Sequence, residues 1–410
     1  MVAPRSDRLR LLYVCYLTLD DPLAHTQVVA YLAGLAAAGH DVHLLTFEPG
    51  RLTRSRRRHW RERMAARGIT WHGLRYHKRP SLPATILDTL SAAALIAWWS
   101  CRLKLDVVHA RAHVPAAMAL IARTFSRRPP ALVFDIRGLM AEEYEEAGRW
   151  QPGGLPSRIT RAVQRAAIKR ADRVVILTER ARQGLFDESE RAKVHVIPCC
   201  ADLSQISAGH AARDRVREQL GLDGAKVMVY VGKFPSWSMP SEMAAFFAAA
   251  SELVDRAHFL ILTQSDGGPI VSELERSGVA PGRYTITSAP HDEVGAYLAA
   301  GDFAITFIRP APSTIVQSPT KLGEYLGAGL PVLHSAGIGD LDALMSEQIG
   351  VRVDEHSTDA HRAAASAIMS LVEDAGTRER CELAAGRTMS LQTVGIPRYL
   401  ELYASLAARR

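Results

Sequence analysis

The sequence predicts an α/β protein of two doubly wound parallel-sheet domains, and three observations carry that expectation. The chain has 410 residues, long for a single core. A strand–helix–strand unit is written near the start as LRLLYVCYL (9–17), HTQVVAYLAGLAAAGH (25–40) and DVHLLTF (41–47). The same unit returns at midchain as KVMVYVG (226–232), MPSEMAAFFAAASELVD (239–255) and HFLILT (258–263). Such crossovers imply parallel pairing and right-handed winding.

Further units follow in order. The first half continues with DVVHA (106–110), ALVFDI (131–136) and RVVILT (173–178). The second continues with YTITS (284–288), FAITFI (303–308) and GLPVLHS (329–335). Gly39 stops the 25–40 helix. The boundary is expected near Ile197–Ser207, where VIPCCADLSQI leaves a strand through a proline. This gives domains of 1–200 and 201–395, with 396–410 as a C-terminal helix packing back on the first. Ligands of such sheets bind beyond the carboxyl ends of the strands, so the domains are expected to face each other across a cleft.

Composition narrows the class. Hydrophobic residues at 48% and charged residues at 23% suit a soluble globular chain. Five cysteines show neither metal-ligand spacing nor a disulfide framework, which fits a reducing, cytoplasmic setting. MVAPRSDRLRLLYVCYL runs straight into a strand pattern rather than reading as a secretory leader. The segment nearest to a membrane span, ATILDTLSAAALIAWWSC (84–101), contains Asp88 and many small residues, and a packed helix is expected there. The net charge is +7, and RLTRSRRRHWRER (51–63) concentrates the excess. That run reads first as a solvated helix face, and its field also admits peripheral contact with a membrane surface or a polyanionic acceptor. No aromatic interleaving or nucleic-acid motif accompanies it, so nucleic acid is not an expected partner. Neither half holds G-x-G-x-x-G with its acidic ribose ligand, and no Walker A sequence is present, which argues against a nicotinamide dehydrogenase and a P-loop enzyme.

The chemistry gathers around SPTKLGEYLGAGLPVL (318–333). Ser318 fits an N-cap, Pro319 the first helical position and Gly329 a C-terminal stop. A helix start suits a phosphate, and Thr320 adds a hydroxyl. Lys321 at that end is unfavourable by about 0.3–1 kcal/mol on dipole grounds, a penalty that a bound anion would reverse. Glu324 lies on the same face and suits a ribose diol; a Lys321–Glu324 surface pair with ordinary capping explains the residues equally well. YVGKF places Gly232 and Lys233 after the first strand of the second half, where glycine lets the backbone approach a ligand. SAPHDEVGAYLAAGD (288–302) offers a turn at Pro290–His291 that suits a base, or a plain connection.

Taken in order, YVGKF, SAPHDEVGAYLAAGDFAITFIRP and SPTKLGEYLGAGLPVL resemble the nucleotide-sugar domain of retaining glycosyltransferases of family 4, in a subgroup marked by Ser-Pro-Thr-Lys. HTQVVAYLAGLAAAGHDVHLLTFE and DVVHARAHVPA are similar to the acceptor domain of that family. The resemblance covers nearly the whole chain and implies a GT-B fold of two Rossmann-like domains. It implies that Glu324 holds the ribose of a nucleoside diphosphate sugar, that Lys321 and the amides around Ser318, Pro319 and Thr320 face the diphosphate, and that Lys233 takes the cationic position after Gly232. His291 joins this donor set through its turn. Three departures stand out. The earlier glutamate, eight residues before the ribose ligand, is Val316; Ser236–Pro240 lacks a second lysine; and DDPLAHT (20–26) replaces a glycine pair.

On the acceptor side, HARAH (109–113) and FDIRG (134–138) close consecutive strands. His25, Thr26, Arg111, His113, Asp135 and Arg137 are the candidate acceptor contacts, Arg111 and His113 being the ones assigned to the chemistry. His109 reads as a satisfied strand histidine, and Glu142, Glu143, Glu145 and Glu146 as a solvated run. The implied reaction retains anomeric configuration by same-face attack, with the leaving phosphate oxygen as base and Lys233 and Lys321 in place of a metal. No cofactor is implied beyond the nucleoside diphosphate sugar as co-substrate; the acceptor is a natural product, a glycan or a lipid-linked molecule. Two alternatives remain open: a sugar-nucleotide epimerase of similar fold, and a noncatalytic sugar-nucleotide or polyanion-binding protein.

Overall fold

The computed structural model describes residues 8–408 apart from 78 and 80, and leaves the side chains of Ser81 and His291 undescribed. Residues 1–7, which open the stretch read above as running into the first strand, lie outside the described residues. The chain divides into two compact units, Met1–Pro198 with Gly395–Arg410, and Cys199–Val394.

The first unit is built on strands β1 (Arg10–Cys15), β2 (Asp41–Pro49), β3 (Ile69–Tyr76), β4 (Val107–Arg111), β5 (Ala131–Asp135), β6 (Arg173–Ile176) and β7 (Val194–Val196). All pairs are parallel, in the order β3-β2-β1-β4-β5-β6-β7. The order reverses at β1 and β4, which makes that junction the switch point of the sheet. The two outer strands are the ones that hydrophobic runs do not announce. ITWHGLRY of β3 leaves residues exposed or half-buried along most of its length, and β7 is only three residues long, so neither presents a continuous apolar stretch.

The helix expected over 25–40 starts earlier and is not uniform. Asp21 caps it, accepting from Leu23 N at 3.0 Å, and Pro22 opens it. His25–Val29 then forms a π-helical turn before the α-helix Ala30–Ala37. Thr26 Oγ1 donates to Pro22 O at 3.3 Å and His25 Nε2 lies 2.7 Å from Leu19 O, so both side chains hold this local geometry. Such turns concentrate at functional sites.

Helix Ser81–Arg102 packs on helix His113–Thr124. Among the described residues, Leu82–Arg102 is long and apolar enough to cross a membrane by length and composition. Its Asp88 is buried and accepts from Tyr16 Oη at 2.7 Å and from His77 N at 3.1 Å, with His77 Nδ1 at 2.5 Å. Leu82, Ile86, Leu87, Leu90 and Trp98 stay exposed.

The second unit carries β8 (Lys226–Val231), β9 (Ala257–Leu262), β10 (Tyr284–Thr287), β11 (Phe303–Thr306), β12 (Val332–Ser335) and β13 (Gly350–Val353). These too are parallel, in the order β10-β9-β8-β11-β12-β13, and the switch point lies between β8 and β11. Val227 and Val229 enter one core cluster while Met228 and Tyr230 enter the other, so β8 is buried on both faces, as its apolar run requires.

The last helix, Ile396–Ala407, belongs to the first unit and packs against Ala30–Ala37. Arg173 Nε donates to Ser405 Oγ at 2.9 Å and Arg398 Nη1 to Val196 O at 2.8 Å.

In the second unit the backbone of Gly209 crosses that of Gly295 so closely that a Cβ on Gly209 would strike the Gly295 carbonyl carbon, while one on Gly295 would sit 2.8 Å from Ile206 O. Gly209→Ala and Gly295→Ala are each expected to destabilise this unit by about 1–3 kcal/mol, because backbone must move to admit the methyl. Denaturant unfolding of each variant checks this, and wild-type stability in both would contradict it.

Candidate functional site

Parallel strands end with backbone groups pointing at a ligand space, and the switch point leaves that space open. In the second unit the end of β8 delivers Tyr230, Val231, Gly232 and Lys233 to this position. Across it stands helix Thr320–Gly327, held by a backbone-to-side-chain bond: Val231 N donates to Tyr325 Oη at 2.8 Å. Gly329 ends this helix with φ of 75°, Gly329 N bonding Leu326 O and Leu330 N bonding Tyr325 O.

Lys321 lies one turn before Tyr325 on the same face. Its Nζ sits 4.0 Å from the centroid of the Tyr230 ring, and a Cβ at Gly232 would lie 3.1 Å from that nitrogen. Gly232 has φ of 126°, a conformation that side-chain-bearing residues avoid, so both its backbone and its lack of a side chain are required. Tyr230 is itself fixed, stacked on Phe234 at 4.6 Å and donating from Oη to Lys233 O at 2.7 Å. Glu324 is half-buried but deep among protein atoms. Burial pushes its carboxyl up to about 7, and Lys321 works against that rise. None of the described residues hydrogen-bonds the carboxyl.

The helix start differs from the expected cap. Pro319 is the N-cap, Thr320 opens the helix, and no side-chain oxygen caps it. Ser318 instead accepts from Cys199 N at 3.2 Å and is 9% exposed, which corrects its assignment as the cap. Lys233 is exposed, and its side chain makes no ion pair with a described residue. His291 begins a short 3-10 turn, His291–Glu293, and its side chain lies outside the described residues. Val316 is fully buried, so the position of the missing glutamate is filled by core.

The acceptor-side candidates gather at the strand ends of the first unit with a different result. Asp135 is fully buried: it accepts from Tyr13 Oη at 3.1 Å and Tyr399 Oη at 3.4 Å, and faces His109 Nε2 at 3.3 Å and Arg137 Nη1 at 3.6 Å. Burial acts to raise its pKa, yet Arg137, His109 and Arg111 outweigh that and hold it at about 2. Asp135 therefore anchors the fold, which corrects its assignment to the acceptor. His109, bonded through Nδ1 to Tyr403 Oη at 2.7 Å and stacked on Tyr13, is part of the same core.

His113 is 2% exposed and its Nε2 lies 2.8 Å from Gln164 Oε1, so the ring is not placed to touch a substrate, a second correction. Its Nδ1 has no hydrogen-bond partner. His25, half-buried and tied to Leu19 O, is held below its ordinary pKa by burial. Arg111, 9% exposed, reaches across the switch point and donates to Gln27 Oε1 at 2.6 Å. The acidic run is not solvated as a whole. Glu142 and Glu145 pair with Arg161 at 2.9 and 2.7 Å, and burial, reinforced by Glu146 and Glu142, pushes Glu143 up to about 7.

Sequence reasoning missed Tyr230, Tyr325 and Gln27, which meet Lys321, Val231 and Arg111 from far along the chain, and Ala112. That residue follows Arg111 at φ 68°, ψ −176°, a region costing a non-glycine residue about 1–3 kcal/mol and concentrated at functional sites.

Glu324 yields a pH test. Its folded pKa exceeds the unfolded one, so the folded state binds more protons between about 4.5 and 7 and loses stability as pH rises through that window. Glu324→Gln removes the titration. Its stability relative to wild type is expected to grow by on the order of 1 kcal/mol from pH 5 to pH 8, read by urea unfolding at both; a pH-independent difference would show that the carboxyl is not desolvated.

Residues 24–205 match the family model described as Glycosyltransferase Family 4. No curated protein matches the chain at the sequence level. A glycosyltransferase from Rickettsia africae is similar in structure, with a TM-score of 0.74 at 13% identity, over 98% of this chain and 100% of that one. Sucrose-phosphate synthase from Thermosynechococcus elongatus gives 0.71 at 16% identity, over 98% and 100%. HepE of Anabaena, in complex with UDP and glucose, gives 0.66 at 12% identity, over 96% and 99%. At such identities the likeness is one of fold, and the fold is GT-B. The matched domain and that architecture together support a glycosyltransferase.

Proposed function

We propose that the chain is a retaining glycosyltransferase that moves a sugar from a nucleoside diphosphate sugar to an acceptor. The observation that carries this is the joint placement of Lys321, Gly232 and Glu324 at the switch point of the second sheet. A diphosphate at the start of helix Thr320–Gly327, which no side chain caps, meets the helix dipole and the Lys321 ammonium. Exposed Lys233, on the β8 side, adds a second cation. Glu324, whose carboxyl none of the described residues hydrogen-bonds, is one turn deeper and accepts from the ribose hydroxyls.

In this reading the anomeric C–O bond to the diphosphate breaks as an acceptor atom attacks the same face. The acceptor proton passes to the departing phosphate oxygen. Lys321, Lys233 and the helix start stabilise the charge that develops there, the electrostatic role that a metal ion serves in other transferases. Structures of the Anabaena protein contain UDP and UDP-glucose, so a UDP-linked sugar heads the donor screen. A reducing compartment suits the five free cysteines.

The test is a thermal-shift screen against UDP, GDP, ADP, dTDP and CDP. A ligand at about 100-fold its Kd adds roughly 2.7 kcal/mol to stability. One diphosphate is expected to shift wild type clearly, while Lys321→Ala and Glu324→Ala bind it at least about tenfold more weakly, roughly 1.4 kcal/mol. Wild-type affinity in both folded variants would refute the site. Product analysis then decides the reaction: a glycoside of retained configuration supports transfer, whereas a sugar epimer formed from donor alone marks an epimerase.

We also propose peripheral contact with an anionic membrane surface through helix Arg54–Ala65, whose Arg54, Arg58, Arg61 and Arg63 are exposed. Exposed Leu82, Ile86, Leu90 and Trp98 recur at helical spacing on the following helix and favour a lipid interface. Co-sedimentation with phosphatidylserine-containing vesicles is expected, salt-sensitive and reduced in the triple variant Arg54→Ala, Arg58→Ala, Arg61→Ala. Equal binding to purely zwitterionic vesicles would sink the electrostatic basis.

A further inference from the structure

The loop after β8 holds a tryptophan at the surface of the second unit. Residues 232–239 connect β8 to helix Pro240–Leu253, and their backbone is locked to the continuation of β11. Ser238 pairs with Ile308 in an antiparallel bridge, Arg309 N donates to Trp237 O at 2.8 Å, and Met239 N donates to Phe307 O at 3.2 Å. Ser238 also closes the turn on itself, donating from N and Oγ to Pro235 O at 2.9 and 2.7 Å. Ser238 and Met239 are buried, yet Trp237 beside them is 37% exposed. Among the described residues, none stacks a ring on this indole and none hydrogen-bonds its nitrogen. Tryptophan is highly buried on average, and here a fixed backbone holds one outward with a ring face and an N–H to spare.

The place of that ring decides what it can meet. In the reading above, helix Thr320–Gly327 takes the diphosphate at its start and the ribose one turn deeper, at Glu324. The transferred sugar hangs from the other end of the diphosphate, so it lies beyond the helix start. The chain reaches that start through residues 307–319, and the Trp237 loop is tied to the head of this segment. FIRPAPSTIVQSPT (307–320) contains no acidic residue, and three of its four hydroxyl side chains, Ser313, Thr314 and Ser318, are buried. The segment therefore brings no carboxylate and little hydroxyl to a sugar. An apolar surface with one polar group is what remains, the usual lining of a small-molecule site.

We propose that Trp237 is the platform for the transferred sugar, a pyranose that lays one face of C–H bonds on the indole. The indole N–H is left to donate to a sugar hydroxyl. A hydroxyl directed at the ring face would lose its water without gaining a partner, so the platform selects among donor sugars. This rests on the glycosyl-transfer reading for the orientation of the donor, and goes beyond it in naming what reads the sugar.

Calorimetry on the full chain tests this with two kinds of ligand: the nucleoside diphosphate that the thermal-shift screen identifies, and its glucose, galactose and mannose conjugates. Trp237→Ala is expected to bind the conjugate that wild type prefers at least about tenfold more weakly, while binding the bare diphosphate within about twofold of wild type. Trp237→Phe, which keeps a smaller ring face and no N–H, is expected to fall between the two on the conjugate. Unchanged conjugate affinity in Trp237→Ala would overturn the platform. An equal loss for conjugate and bare diphosphate would overturn it too, because Trp237 would then only hold the loop. Tryptophan emission of wild type is expected to shift on adding the conjugate, and the same shift in Trp237→Phe would place the contact elsewhere. If wild type binds neither the diphosphate nor any conjugate, the glycosyl-transfer reading itself fails and the sugar subsite falls with it, a result seen before any variant is made.

Discussion

The hydrogen bond from Val231 N to the Tyr325 hydroxyl fixes what the second unit can do. The ladder between β8 and β11 runs only through Met228 and Val229, so the amide of Val231 has left its strand partner behind. A buried amide without a partner is expensive, and the fully buried Tyr325 supplies one. That bond sets the helix against the strand end. Lys321, four residues before Tyr325, is thereby carried over the Tyr230 ring and against Gly232. Glu324, the neighbour of Tyr325, is drawn into a desolvated position. Cation, carboxyl and helix start thus share one anchor.

The first unit solves a different problem with the same architecture. Its strand ends carry Asp135, His109, Arg111 and Arg137, a set that would be costly to bury unpaired. The last helix answers part of that need. Tyr399 brings a hydroxyl to Asp135 and Tyr403 one to His109, so the residues from Gly395 onward complete a polar core whose strand members lie 264 and 294 positions earlier in the chain. Arg111 shares the field of Asp135, and its side chain donates to Gln27.

Much of this was readable from residues alone. Runs such as ALVFDI and KVMVYV became central strands because a parallel sheet covered on both faces demands continuous apolar segments. Gly329 ended its helix as expected, since only a residue tolerant of positive φ closes that turn easily. Lys321 and Glu324 were legible as a pair because helical spacing places them on one face. The edge strands β3 and β13 were not legible, because half-exposed positions in ITWHGLRY and GVRV erase the apolar signal.

What the sequence determined by itself was therefore local and periodic: alternation of strands and helices, and the helix stop at Gly329. Tertiary structure alone decided which polar groups turn into the core. Ser318 reads as a cap until Cys199 N claims its oxygen, and Asp135 reads as a site residue until two distant tyrosines and a histidine enclose it. A side chain's hydrogen-bonding capacity is written in its residue type. The partner that satisfies it is chosen by burial, and burial is a property of the whole fold.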